Sequence, residues 1–292
     1  MLRLETLGGL TLTDSGGQHV VPQHRRLALL ALLAVGGSRG VGRDKLVACL
    51  WPESPPDQAR HALEQLVYSV RRQVPGVLQA GSDPLRLDPA VVGTDVGEFT
   101  SRLAEGDLGA AVALYGGPFL DGFFLTGAPE FERWAERERA RLAGEHARAL
   151  RALAKQAVGQ GQDTAEIDIR RKLAAADPLD EQAAADLIRA LAAAGDWTGA
   201  ARAARDYGAR FRAELPGEPT VDLVALVERL RRERRPGSEP GTHRYVVERE
   251  LGRGATATVY LARDRRFERP VALKLLRPDV ASATPTLPEA FA

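Results

Sequence analysis

A row of basic, amide and hydroxyl side chains lies along one face of a predicted amphipathic helix, from about Asp57 to Gln73. Arginine pairs with phosphates and guanine edges, and glutamine pairs with adenine edges, so these residue types suit contact with duplex DNA. Apolar residues recur on the opposite face at the i, i+3, i+4, i+7 spacing of a buried stripe. One face is therefore predicted to pack while the other stays free. The candidate DNA contacts on this helix are Arg60, His61, Gln65, Ser69 and Arg72.

Two neighbouring elements are predicted to position this helix. A short helix over residues 43–50 is followed by a polar turn, and Pro56 suits the start of the next helix, where a missing amide costs little. Many regulators use such a helix, turn and helix to place a recognition helix in the major groove of DNA. An alternative interpretation is that Arg60 and Arg72 are ordinary charges of a helix surface. Candidate contacts to the flanking DNA backbone are Arg43, Lys45 and Arg86.

The remaining residues up to 94 predict a small sheet, a buried helix and a hairpin. Leucines alternate loosely over residues 2–21 between glycine-rich turns, which predicts an antiparallel sheet that ends with Val20-Val21. The apolar run Leu27 to Val35 predicts a helix buried on most sides, because it is rich in leucine and alanine rather than β-branched residues. A β-hairpin is predicted over residues 77–87. A hairpin after a recognition helix is the wing of a winged helix.

From Asp95 onward the sequence is rich in alanine and acidic residues and predicts helices. The segment Gly161 to Ala165 returns 34 residues later as Gly195 to Gly199. A period of about 34 residues is typical of tetratricopeptide (TPR) helix pairs. The predicted helices span residues 99–103, 108–115, 129–160, 164–176, 179–194, 197–215 and 221–232.

Motifs in these two segments resemble the SARP family, the antibiotic regulatory protein type of bacterial transcriptional activators. The helical segment is similar to the bacterial transcriptional activator domain that follows the winged helix in this family. The resemblance implies binding to direct repeats near a promoter, recruitment of RNA polymerase, and dimer or partner contacts through the helical domain. The matching motifs are Leu50-Trp51-Pro52, Ala59, Leu63, Val67 to Arg72 and Gly93 to Phe99 in the first segment, and residues 134–142, 176–181 and 211–219 in the second.

A different pattern begins at Tyr245 and resembles the start of a bacterial serine/threonine protein kinase. That start consists of a glycine-rich loop, a strand, and a second strand whose lysine holds ATP phosphates. Glycines allow backbone amides to approach a phosphate, and Lys274 would neutralise the α and β phosphates. The candidate ATP-binding residues, by pattern only, are Leu251, Gly252, Gly254, Val259, Ala272 and Lys274.

The same segment predicts no catalysis. The sequence contains neither a His-Arg-Asp catalytic loop nor an Asp-Phe-Gly metal site, so the base and the magnesium ligands of phosphoryl transfer are missing. The chain is therefore predicted not to be an enzyme, to have no catalytic residues and to require no cofactor. We interpret the segment as a truncated kinase N-lobe, from a truncated product or a fragment of a longer regulator-kinase fusion.

Composition and charge restrict the class of protein. Of 292 residues, 44% are hydrophobic and 27% are charged, as in globular proteins. The longest apolar run is shorter than the about 20 residues of a membrane helix, which predicts a cytoplasmic protein without a membrane partner. The single cysteine excludes an internal disulfide, and the five scattered histidines predict no metal site. The formal net charge is +2 over residues 1–94, −6 over 95–230 and +5 over 231–292. Because both ends are basic and the middle is acidic, an end of the chain is better suited than the middle to bind a polyanion such as DNA.

These observations predict an α+β, mostly α protein that activates transcription by binding double-stranded promoter DNA. Two alternatives stay open. The first two domains could be the sensory or targeting arm of a serine/threonine protein kinase, or the chain could be a protein-binding scaffold, because a charge of +2 is a weak basic footprint. The predicted parts are a winged-helix DNA-binding domain (1–94), a TPR-like all-α bacterial transcriptional activator domain (95–232), a linker (233–243) and a truncated kinase N-lobe β fragment (244–292).

Overall fold

Short strands and helices alternate in the N-terminal part of the chain, and a helical segment follows. The computed structural model describes residues 1–20, 23–81, 83–233, 245–254, 257–264 and 269–276. The strands are β1 (Leu2–Glu5), β2 (Thr11–Thr13), β3 (Val92–Thr94), β4 (Tyr245–Arg253), β5 (Ala257–Asp264) and β6 (Arg269–Leu276). The helices are α1 (His24–Gly36), α2 (Arg43–Leu50), α3 (Pro56–Gln73), α4 (Asp95–Glu105), α5 (Leu108–Leu114), α6 (Pro129–Gly159), α7 (Asp163–Ala176), α8 (Glu181–Ala193), α9 (Trp197–Glu214) and α10 (Leu223–Glu233).

The N-terminal sheet is mixed, whereas the sequence predicted an antiparallel one. Strand β1 pairs antiparallel with β2, with Leu4 opposite Leu12, as expected. The other edge of β1 carries β3, which runs parallel to it. Strand β3 has only three residues, which is too short for an alternation of apolar and polar residues to reveal it in the sequence. Val20 joins the sheet through its amide, which donates to the Leu12 carbonyl at 2.9 Å, and Val21 lies outside the described residues.

Helix α1 forms the centre of the N-terminal core, as its apolar run predicted. Every residue from Leu27 to Ala34 is buried. Helices α2 and α3 pack against α1 and against each other. Their observed bounds agree with the predicted ones to within one residue, and α3 begins at Pro56, where the missing amide costs little. The predicted helix, turn and helix are therefore present.

The predicted hairpin after α3 is short. The Gln79 amide donates to the Arg86 carbonyl at 3.1 Å, and the Asp88 amide donates to the Val77 carbonyl at 2.9 Å. One arm of this hairpin is fixed to the loop between α1 and α2. There Val41 and Leu85 exchange two backbone hydrogen bonds, at 2.9 and 3.0 Å.

A buried carboxylate joins the N-terminal sheet to the first helix of the helical segment. Asp95, the first residue of α4, is only 5% exposed. It accepts hydrogen bonds from the amides of Thr6 and Leu7, both at 2.7 Å, and from the Thr6 hydroxyl at 2.6 Å. Hydrogen bonds to a charged acceptor are roughly twice as strong as neutral ones. Asp95 therefore holds the end of β1 against the start of α4.

One hydrophobic core continues from the sheet into the helical segment. It extends from Leu4 in β1 to Trp134 and Leu142 in α6, which also contacts α2. Residues 1–183 form one compact unit and residues 184–292 form a second. The predicted domain boundary after Thr94 lies within the continuous core of the first unit.

The helical segment follows the predicted repeat. Helices α7 and α9 begin at Asp163 and Trp197, 34 residues apart. In the first unit α7 packs on α6, and in the second unit α9 packs on α10. The N-cap residue of α9, Asp196, accepts a hydrogen bond from the Gly199 amide at 2.8 Å.

A stacked pair of rings joins the end of α5 to the middle of α6. The rings of Tyr115 and His146 are nearly parallel, with centroids 4.1 Å apart and 9° between their planes. His146 is buried, and this burial lowers its pKa below the ordinary value of 6.5, with a further lowering from the positive charge of Lys172. Burial also raises the pKa of the Tyr115 hydroxyl.

The lowered pKa of His146 makes stability depend on pH. The unfolded chain takes up a proton more readily than the folded one, so this contribution is complete above about pH 6.5 and is lost as the pH falls below that value. For one proton the slope cannot exceed about 1.4 kcal/mol per pH unit. We expect urea denaturation between about pH 7.5 and 5.5 to show this slope in the wild type and less of it in His146→Phe. The exposed His19→Gln is the control, and a His146→Phe profile as steep as the wild-type profile contradicts the assignment.

The C-terminal strands form an antiparallel sheet in the order β4-β5-β6. The strands predicted around the glycine-rich segment and the lysine are therefore present. Val259 lies opposite Lys274, and Leu261 lies opposite Ala272. Most of the predicted linker and the tail after Leu276 lie outside the described residues.

Candidate nucleic-acid interface

Helix α3 turns one face toward the core and the other outward. Ala59, Leu63, Val67 and Val70 are buried, as the sequence predicted. Of the predicted contacts on this helix, Ser69 is half-buried at the margin of the outer face. The exposed ones are Arg60, His61, Gln65 and Arg72.

The outer face of α3 consists of three rows of side chains. With about 100° of rotation per residue, positions 57, 61, 64 and 68 fall within roughly 60° of one another, positions 60 and 71 lie to one side of them, and positions 58, 65 and 72 lie to the other. The central row is Asp57, His61, Glu64 and Tyr68; the first flank is Arg60 and Arg71; the second flank is Gln58, Gln65 and Arg72. Acidic and ring-bearing side chains thus occupy the centre, and arginines occupy both flanks.

The polar contacts on this face are weak and local. Arg60 lies 3.5 Å from the carboxylate of Asp57, and the two side chains are 62% and 99% exposed. His61 lies 3.9 Å from the Glu64 carboxylate and 2.9 Å from the Gln65 amide. Exposed pairs of this kind contribute at most about 1 kcal/mol, so a ligand can replace them at little cost.

Two arginines of α3 do not form ion pairs within the described part of the chain. Arg71 and Arg72 lie in the last turn of α3 and are exposed. Their guanidinium groups therefore remain available to phosphates.

Helix α2 supplies two of the predicted flanking contacts, Arg43 and Lys45, and both are exposed. Burial raises the pKa of the Cys49 thiol, and the neighbouring charges of Lys45, Glu130 and Arg137 also act on it. Glu130 and Arg137 belong to α6, so Cys49 lies on the side of α2 that packs near α6.

The third flanking residue, Arg86, is half-buried in the hairpin. Its side-chain stem lies against Gly40, since a Cβ built on that glycine would be 2.7 Å from the Arg86 Cγ. Its Nε is buried and has no hydrogen-bond partner among the described residues. The structure thus places Arg86 against the loop that precedes α2.

Five exposed residues of the outer face were not among the predicted contacts: Asp57, Gln58, Glu64, Tyr68 and Arg71. Tyr68 is 68% exposed, which is unusual for a large aromatic side chain next to a core. A helical projection would have found it, because Tyr68 lies seven positions after His61 and four after Glu64. The prediction concentrated on cations and amides and therefore passed over the centre of the face.

The ATP-pattern residues lie in the C-terminal sheet. Val259 of β5 lies between Gly252 of β4 and Lys274 of β6 in the register, and directly paired residues share a face of the sheet. The Gly254 amide donates to the Ala257 carbonyl at 2.8 Å. Leu251, Gly252, Gly254, Ala272 and Lys274 are exposed, and Val259 is half-buried.

Comparison with known proteins gives a family context for this geometry. The family model of the bacterial transcriptional activator domain matches residues 97–231. The transcriptional regulatory protein EmbR of Mycobacterium bovis and of two strains of Mycobacterium tuberculosis is 26% identical to the chain over 283 residues, covering 87% of this chain and 71% of the relative. The chain is thus similar to EmbR-type transcriptional regulators, and its residues 97–231 match the bacterial transcriptional activator domain.

The fold of the chain is also EmbR-like. A solved structure of Mycobacterium tuberculosis EmbR in complex with a low affinity phosphopeptide has a TM-score of 0.55 at 22% identity, covering 94% of this chain and 93% of the other. The relatives are named as transcriptional regulatory proteins, and these comparisons do not support the predicted kinase remnant at residues 244–292. That resemblance and its ATP pattern stay predictions. Among the described residues, no helix combines the length and the hydrophobicity needed to cross a membrane.

Proposed function

We propose that the regulator activates transcription by binding double-stranded promoter DNA through a winged helix at residues 1–94. The geometry of α3 is the observation that supports this function: its apolar face is held in the core, and its polar face carries exposed arginines. A helix with its side chains is about 10–12 Å across, and the major groove is about 12 Å wide. The outer face of α3 therefore matches the groove in size and in chemistry.

The proposed contacts divide between the recognition helix and its neighbours. Side chains of α3 would approach base edges or phosphates, and those of α2 and the hairpin would contact the flanking backbone. The residues proposed are Arg60, His61, Gln65, Ser69 and Arg72 on α3, with Arg43, Lys45 and Arg86 beside it.

The helical domain at residues 95–232 is proposed to make the protein contacts of the activator. Its exposed surface is rich in charged side chains, and helix pairs such as α9 and α10 suit partner binding. By resemblance to the SARP family, these contacts include a second copy of the chain on direct repeats and RNA polymerase, in the cytoplasm.

A gel-shift titration against promoter fragments at two salt concentrations tests DNA binding. Each phosphate contact releases counterions, so log affinity should fall linearly with log salt, with a slope of about −0.9 for each contact. We expect the double variant Arg60→Ala/Arg72→Ala to bind at least about tenfold more weakly and to show a slope smaller by about 2.

The control removes the same charge elsewhere. Arg102 and Arg133 are exposed arginines of α4 and α6 that pair with nearby glutamates, at 3.3 Å for Arg102 with Glu105. Arg102→Ala/Arg133→Ala should leave affinity nearly unchanged. Wild-type protein that fails to bind duplex DNA in a salt-dependent manner would instead favour the scaffold alternative.

A further inference from the structure

Resting on the proposed DNA binding, we infer that Tyr68 and Glu64 are the base-reading residues of α3 and that Arg71 and Arg60 are phosphate contacts. The inference starts from the three rows of the outer face. A helix in the major groove points its central row at the base edges and its flanks at the two phosphate backbones. Position in the row therefore decides which part of DNA each side chain meets.

The central row has the chemistry of bases and not of phosphates. A carboxylate such as Glu64, 71% exposed in its side chain, is repelled by phosphate but accepts a hydrogen bond from the cytosine N4 amino group. The ring of Tyr68, 68% exposed, offers apolar contact for a thymine methyl group, and its hydroxyl offers a hydrogen bond. Packing against the described residues does not explain why Tyr68 has a large aromatic ring on this solvent-exposed face.

The flanks have the opposite chemistry. Arg60 and Arg71 share the first flank, and Arg72 lies on the second flank with Gln65. Arginines on both sides of an acidic centre match two negatively charged backbones on both sides of a groove. The weak net charge of residues 1–94 is thus compatible with DNA binding, because the cations are concentrated where phosphates would lie.

Selection from a randomised duplex library separates the two roles. The full chain and its variants are incubated with the library, and bound DNA is sequenced to give a binding motif and affinities for motif and scrambled duplexes. We expect Tyr68→Ala to lower the preference for motif over scrambled DNA by about tenfold to a hundredfold without changing the salt slope. Glu64→Gln should alter the preferred base at one position. Arg71→Ala should weaken binding to both duplexes alike and reduce the slope by about 1.

The outcomes distinguish a failure of the Tyr68 assignment from a failure of the proposed DNA binding. If the wild type selects a motif but Tyr68→Ala keeps the full preference, or loses affinity for both duplexes equally, the assignment of Tyr68 is overturned while DNA binding stands. If the wild type shows no salt-dependent duplex binding, the proposed function itself fails. Tyr68 is exposed, and the circular dichroism spectrum of Tyr68→Ala should match that of the wild type. Tyr68→Phe is a second variant that keeps the ring, and it should retain most of the preference.

Discussion

Replacement of Asp95 by alanine is expected to lower the free energy of unfolding of the first unit by about 3–5 kcal/mol. The carboxylate is buried and satisfies two backbone amides and one hydroxyl from the end of β1. Alanine would leave the amides of Thr6 and Leu7 buried without an acceptor, and each such group costs about 1–3 kcal/mol. Denaturation in urea, followed by circular dichroism, measures the loss.

A nearby carboxylate on the same helix provides the control. Glu98 forms an ion pair with Arg3, and both side chains are about a third to a half exposed. Because an exposed pair contributes at most about 1 kcal/mol, Glu98→Ala should be nearly neutral. Equal losses for the two variants would show that burial of Asp95 has no special role.

The second large effect is expected at Gly40, in the loop between α1 and α2. Its φ is +70°, and a Cβ there would lie 2.6 Å from the Leu85 carbonyl oxygen and 2.7 Å from the Arg86 Cγ. Alanine must therefore push the hairpin away from the loop and break the two hydrogen bonds between Val41 and Leu85. We expect Gly40→Ala to cost about 2–3 kcal/mol, from backbone strain and the clash together. Faster hydrogen exchange at the Val41 and Leu85 amides would locate the damage.

Gly37 separates the two causes. It also has a positive φ, +51°, but a Cβ there would meet nothing within 4 Å. Gly37→Ala should therefore cost only the conformational penalty of this backbone region, without the clash, and leave the hairpin amides protected. If Gly37→Ala and Gly40→Ala are equally destabilising, the clash with the hairpin is not the cause. The proposed contact of Arg86 with DNA predicts that Gly40→Ala also weakens DNA binding.

The elements that the sequence predicts best are those with strong local signals. The buried leucine run of α1, the proline at the start of α3 and the 34-residue repeat each fix an element within a few residues. Strand β3 was not predicted, because its pairing with β1 is a long-range contact and three residues carry no periodicity. Asp95 was noticed only as part of a motif, since nothing in a sequence shows that amides almost 90 residues away need an acceptor.

The candidate interface was predictable in outline but not in detail. Amphipathicity alone assigned the outer face of α3, and exposure of Arg60, His61, Gln65 and Arg72 agrees with it. The half-burial of Ser69 and Arg86 depends on neighbours that are distant in the sequence. Selecting residues by charge missed Tyr68, although a helical projection of the sequence places it on the outer face.

The long helix α6 connects the helix-turn-helix to the helical segment. Its 31 residues span about 46 Å, and its N-terminal half supports α2 while its C-terminal half carries α7. In the proposed function, a partner that displaces α7 would also move α6 where it packs on α2, so partner binding by the helical domain and DNA binding by α3 would be coupled.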